Sequence, residues 1–301
     1  DNSGTDPVKR GTGGIVDSTS NANDFAVSYG GKPLYTAKDS RATGATAQTI
    51  MAAPSLVRHP TTLGYLVIFG TGKYFETTDG NVDSTRAQSI YGIWDRKTRA
   101  QSTSAPNPAL ARSNLVTQTI TEEAANNPFA SNTNVEGIRT VSQNSIQWYT
   151  TNATDTTDSS VNKWGWVLDL KIDGSSTLSG EMMINPMSTR GTTLLVNTLT
   201  PNADPCKEGV DSWIYGLDPY TGGRTKYNVF DLNNDKTIND GDTYGSGNSV
   251  VSGYKKPGAG GFTTNNGEIY TSPGLGSGMM YSSGPTSTGR QTWRAIPEEA
   301  R

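Results

Sequence analysis

Cysteine and histidine are almost missing from this chain, which has one of each among 301 residues, Cys206 and His59. A lone cysteine cannot close a disulfide within the chain, so it reads as an idle or buried thiol, or as one whose partner lies in sequence outside this chain. A lone histidine removes most metal-hydrolase and triad chemistries. Long apolar runs are missing too. No stretch approaches the roughly 20 residues that span a bilayer, and the opening "DNSGTDPVKRGTGG" lacks the basic and apolar pattern of a signal peptide. The chain therefore reads as a mature product or a fragment, with no membrane span. Nor is there an excess of positive charge: 25 Lys and Arg stand against 28 Asp and Glu, for a formal net charge of -3. The basic residues are scattered, which argues against nucleic acid as the main partner.

What is present is glycine, 34 residues of it, and short bursts of aromatic and β-branched residues separated by Gly, Ser, Thr, Asn and Asp. Such bursts suit many short strands and an all-β fold. The strand-like segments are "GYLVIFGTGKYF", "SIYGIWDR", "IRTVSQNSIQWYT", "KWGWVLDLKIDG", "GEMMINPM", "GTTLLVNTL" and "SWIYGLDPYTGGR". Residues 1–23 read as a flexible N-terminal segment and residues 24–301 as one domain. Only "TQTITEEAANNPFA" reads as a helical turn or two, the stretch from Lys97 to Asn134 reads as a long insertion, and that from Gly253 to Pro285 as a Gly-rich excursion. Three bursts run from aromatic and aliphatic residues into Asp95, Asp169 or Asp218 and then a turn, as in propeller blades with insertions. The default role of these aspartates is to accept hydrogen bonds from turn amides. The six tryptophans, spread among the bursts, read as core, and Glu122 and Glu123 as a solvated face. "GTGKY" at Gly70–Tyr74 lacks the spacing of a phosphate loop, and its glycines read as a tight turn out of a buried strand.

The stretch "FDLNNDKTINDGDTYG" places side-chain oxygens at alternate positions. Calcium takes about six to eight oxygens, and an EF-hand-type loop offers them from its first, third, fifth, seventh, ninth and twelfth positions. Counted from Asp231, these are Asp231, Asn233, Asp235, Thr237, Asn239 and Asp242, so loop 231–242 is a candidate calcium site. Ile238 is the apolar residue that would pin the loop to the core. Two positions depart from the pattern: Lys236 stands where Gly is usual, bringing a positive charge near the ion, and Asp242 stands in place of a longer Glu. The upstream "GGRTKYNVF" reads as strand, so the loop sits on a β scaffold.

Taken in order, "KPLYTA", "AQTIMAAPSLVRHP", "VIFGTGKYFETTD", "QSIYGIWD", "KWGWVLDL", "GEMMINPM", "PCKEGVDSWIYGLDPYTGGR", "VFDLNNDKTINDGD" and "RQTWRAI" resemble the C-terminal domain of PilC/PilY-type type IV pilus tip proteins. The resemblance implies a modified β-propeller with long insertions. At this length it is an incomplete set of blades, with the N-terminal ones expected in a missing part of the same protein. It also implies one calcium ion on Asp231, Asn233, Asp235, the Thr237 carbonyl and Asn239, with Asp242 either completing the shell or stabilising the exit turn. The ninth position is often Asp in the family, and Asn239 removes that charge. The implied function is non-enzymatic: a pilus tip adhesin and biogenesis factor at the surface of a Gram-negative bacterium, balancing pilus extension against retraction. It would sit on minor pilins and meet a host or abiotic surface, although no "RGD" occurs in the chain. Two other readings compete. "YGLDPYTGGR" also resembles the blade-closing repeat of quinoprotein dehydrogenases, and a third class is a calcium-stabilised carbohydrate-binding or scaffold-docking module.

Overall fold

The computed structural model describes residues 33–41, 43–96, 110–129, 132–149, 162–201, 210–257, 260–272 and 278–285. Cys206, Trp293 and the expectation for residues 1–23 lie outside them. The aromatic and β-branched bursts form strands: β1 (Ser55–Arg58), β2 (Tyr65–Gly70), β3 (Ser89–Asp95), β4 (Val116–Ala124), β5 (Gly137–Val141) and β6 (Gly165–Ile172) come first. After them follow β7 (Ser188–Arg190), β8 (Thr193–Pro201), β9 (Val210–Leu217), β10 (Thr243–Tyr244), β11 (Ser249–Val250) and β12 (Gly253–Pro257). A last group comprises β13 (Gly261–Asn265), β14 (Glu268–Ser272) and β15 (Met279–Met280). Helical structure among the described residues is limited to three short 3-10 turns.

Ten strands make one sheet in the order β1-β2-β3-β6-β4-β5-β12-β9-β8-β7, and β13-β14-β15 and β10-β11 form two small sheets beside it. Pairing in the large sheet is antiparallel except between β4 and β6, which run parallel. The sheet curls until its edges meet, where Ser55 Oγ on β1 lies 3.3 Å from Thr189 Oγ1 on β7. It is nearly closed, and a curled sheet exposes fewer unpaired strand edges than an open one. Side chains alternate across it. Leu66, Ile68, Ile90, Trp166, Leu168, Leu194, Val196 and Tyr215 pack into one interior cluster. A second cluster, built on Ile138, Leu195, Ile214, Phe230, Leu232, Tyr254 and Ile269, joins the large sheet to β13-β14-β15.

Several expectations need correction. "TQTITEEA" is strand β4 and not a helical turn: Gln118 and Ile120 point inward, and the backbone pairs with β5 and β6. Burial of that alternate face outweighs the helix-compatible "TEEAA". The supposed insertion from Lys97 to Asn134 thus carries a central strand, and the supposed Gly-rich excursion carries β12, paired with both β5 and β9. "GEMMINPM" contributes a single bridge, Met182 to Leu199, and no strand of its own. Asp169 does not cap a turn. Buried within β6, it accepts from Ser89 Oγ at 2.6 Å and pairs with Arg112. Asp218 does cap one, accepting from Tyr220 N at 2.8 Å. Gly70 and Gly72 are required less by a turn than by close approach, since a Cβ at either would meet Met183 or Met182 within 3.0 Å. Trp94, Trp164, Trp166 and Trp213 are core, and Trp148 is half-buried.

Candidate metal centre

The loop begins where Phe230 bridges Tyr281 and Asp231 N donates to Met280 O at 3.1 Å, and it ends in a 3-10 turn, Asp240–Asp242, that runs into β10. Phe230 and Leu232 anchor it in the second core cluster. Ile238, expected to be the pin, is only half-buried. Asp231 is 2 % exposed and its two carboxylate oxygens accept from the amides of Asp235 and Lys236, each at 3.1 Å. Turning the chain so tightly around Asp231 requires a left-handed backbone at Asn234 (φ 59) and at Lys236 (φ 70). That is the conformation glycine supplies most readily.

The structure brings four of the six candidate side chains to one point. Asp235 Oδ1 accepts from the Thr237 hydroxyl at 2.6 Å, and Asp235 Oδ2 from the amides of Asn233 at 3.1 Å and Asn239 at 3.5 Å. Asn239 Nδ2 also donates to Thr237 Oγ1 at 2.7 Å. Asp231 lies behind this cluster. Asp242 is turned elsewhere: Oδ1 accepts from the amides of Leu232 at 2.7 Å and Asn233 at 3.2 Å, and Oδ2 from Asn239 N at 2.9 Å. It ties the entrance of the loop to its exit. The ammonium of Lys236 is held by Asn234 Oδ1 at 2.8 Å, on the exposed even-numbered side.

Burial pushes the Asp242 carboxyl above its ordinary range, against the pull of those three amides, and the charge of Asp231 pushes it the same way. The hydroxyl and amide of Thr237 hold the exposed Asp235 carboxyl below the usual range. Among the described residues no three Asp, Glu, His or Cys side chains gather as metal ligands. An ion here would draw on amide and carbonyl oxygens beside its carboxylates. That mixture suits a hard cation such as calcium. The loop is also a cradle: a Cβ on Gly241 would meet Asn233 Nδ2 at 2.8 Å and Asn239 Oδ1 at 2.9 Å. The residues therefore fit calcium. They would supply Asp231, Asn233, Asp235, Asn239 and the Thr237 carbonyl, with Asn233 and Asn239 turning their amide oxygens to the ion.

Two residues that sequence reasoning passed over support the loop from outside. Asn228 Nδ2 donates to the Asn239 carbonyl at 2.6 Å, and Asn132 Nδ2 reaches the Asp231 carbonyl at 3.4 Å. Asn132 is 99 positions from its partner, and nothing in either local sequence marks the contact.

A family model described as the PilY1 beta-propeller domain matches residues 2–134. The type IV pilus biogenesis factor PilY1 of Pseudomonas aeruginosa is 45% identical over 279 residues, which are 91% of this chain and 23% of that protein. This chain belongs to the PilY family. A PilY1 homolog from Xylella fastidiosa is 30% identical over 260 residues, 83% of this chain and 18% of that protein. The crystal structure of the P. aeruginosa PilY1 C-terminal domain superposes with a TM-score of 0.69 at 42% identity, covering 86% of this chain and 49% of that one. The curled all-β sheet is thus a PilY-type β-propeller fold. The chain spans about a quarter of the length of the curated P. aeruginosa relative, 23%. No helix among the described residues is long and apolar enough to cross a membrane.

Proposed function

We propose that this PilY-family domain acts in type IV pilus biogenesis and surface adhesion as part of a pilus-tip protein, and that calcium in loop 231–242 holds it in its working conformation. The observation that carries the calcium reading is the convergence of Asn233, Thr237 and Asn239 on Asp235 above the buried Asp231. The carboxylates of Asp231 and Asp235 accept only from amides and a hydroxyl of this loop, and a cation would give them a common partner. With one, the loop has a single preferred shape, and binding energy becomes folding energy. The pilus reading draws on the P. aeruginosa and X. fastidiosa relatives, which are named type IV pilus biogenesis factors. The partners this implies are minor pilins at the pilus tip, the remainder of the same polypeptide, and a host or abiotic surface outside a Gram-negative cell. No enzymatic step is proposed.

Calorimetric titration of calcium into the wild-type chain and into Asp235→Ala tests the site. Heat of binding and a raised unfolding midpoint are expected for the wild type, and a loss of affinity of at least about tenfold for the variant. A wild type that shows neither heat nor stabilisation would refute the site. The same substitution in the full-length protein should change the number of surface pili. Unchanged piliation alongside lost calcium binding would separate the ion from the biogenesis role.

A further inference from the structure

A cleft of about 700 Å³ opens against the exit half of loop 231–242. Asn239 and Asp240 form one wall, and Lys226, Tyr227, Asn248 and Tyr281 stand around the rest. A recess of about 260 Å³ shares Lys226 and Asn248 with it and adds Gln143 and Arg224. Tyr227 is held in place by its hydroxyl, which lies 2.9 Å from Thr192 Oγ1 and 2.8 Å from Thr193 Oγ1. Asn228 also lines the cleft, donating to the Asn239 carbonyl while its own buried Oδ1 has no hydrogen-bond partner. A buried acceptor left without a donor costs free energy unless something else supplies one.

The chemistry of this lining is specific. Amides, a carboxylate and hydroxyls can bond a ligand rich in hydroxyl groups, and the ring of Tyr227, held by its hydroxyl, can meet the C–H face of a sugar ring. The volume lies within the usual range for small-ligand sites, roughly 300–1,000 Å³. Nucleic acid would call for clustered cations. In the main cleft Lys226 and Asp240 nearly cancel. From this lining we infer that the cleft binds a short neutral or N-acetylated oligosaccharide, and that calcium in the neighbouring loop sets its affinity. The coupling rests on the calcium reading of loop 231–242. Asn239 joins the two sites: its side chain belongs to the candidate calcium shell, and its carbonyl is bonded by Asn228 in the cleft. Fixing Asn239 on the ion fixes a wall of the cleft, and by linkage the sugar should tighten calcium by the same factor.

Chitotetraose and cellotetraose serve as probes, each titrated into the intact chain with calcium and with EDTA and followed by calorimetry and saturation-transfer NMR. One of them is expected to bind in calcium and about fivefold or more weaker in EDTA, a factor at the lower end of typical couplings. Asn248→Gly removes a cleft amide at a residue whose φ of 49° suits glycine. It should weaken the sugar about tenfold and leave the heat of calcium binding unchanged, with an unfolding midpoint no lower than that of the wild type. Calcium heat without binding of either probe would overturn the cleft and leave the calcium site standing. Sugar binding of equal strength in calcium and EDTA, or indifferent to Asn248→Gly, would overturn the inference as well. Absence of calcium heat would remove the calcium site itself and the coupling with it.

Discussion

Lys236 holds a left-handed backbone, φ 70, at the loop position where glycine is usual, while its amide donates to Asp231 Oδ2. An L-residue with a Cβ pays on the order of 1 kcal/mol for that conformation, and glycine pays little of it. Lys236→Gly keeps the amide and removes both the steric cost and a positive charge near the candidate ion. It should raise stability by about 0.5–1 kcal/mol in chemical denaturation and raise calcium affinity several-fold in calorimetry. A loss of affinity would mean that the ammonium, bonded to Asn234, orders the loop more than its charge repels the ion. At this scale the sequence was informative where chemistry repeats at fixed spacing. Alternating oxygens from Asp231 to Asn239 are visible as letters, because a chain winding round a centre turns every second side chain inward. Asn228 and Asn132 were not legible, since each meets the loop only through the tertiary fold.

The turn in "LDPYTGGR" shows how an element closes on the core. Asp218 N donates to Gly223 O at 2.9 Å, Gly222 N to Asp218 O at 2.8 Å, and the Trp166 indole to Pro219 O at 3.1 Å. Gly222 lies flat on the Trp166 ring with φ 69, and a Cβ there would come within 2.1 Å of a ring carbon. Gly222→Ala therefore combines a backbone penalty with overpacking against a fully buried side chain, and should cost about 2–4 kcal/mol in urea denaturation. A loss below about 0.5 kcal/mol would show that the turn can lift off the ring. Strands such as β3 and β6 were readable because both faces are buried and their sequences are nearly continuous runs of aliphatic and aromatic residues. β4 and β12 were not. "VTQTITEEA" and "GYKKP" carry polar residues to the surface and find their place only through pairing with β5, β6 and β9, which local propensity does not encode.

Curling a ten-stranded sheet until β1 touches β7 encloses the larger apolar cluster between its edges, so a change at one edge is felt as the stability of the whole. His59, next to β1 at that edge, is the natural probe. It is 1 % exposed, stacks on Trp94 at 3.9 Å between ring centroids, and meets Trp148 edge-on at 4.3 Å. Its Nδ1 lies 2.7 Å from Thr61 Oγ1, while Nε2 is buried without a hydrogen-bond partner. Burial, reinforced by the Arg96 charge, lowers its pKa from 6.5 to about 4. Well above pH 6.5 the ring is neutral in both folded and unfolded chains, and its contribution is fully present. As the pH falls from there toward 4, the unfolded chain takes up the proton first, and that contribution is lost. Allowing for solvent screening, the loss should approach about 2 kcal/mol. His59→Phe keeps an aromatic ring against Trp94 and cannot titrate. The difference in unfolding free energy between wild type and variant should be constant above pH 7, then shift against the wild type between pH 6.5 and 4. Parallel curves across that range would show that the imidazole finds a proton acceptor or water in the folded chain, and that the edge beside β1 opens more readily than its packing implies.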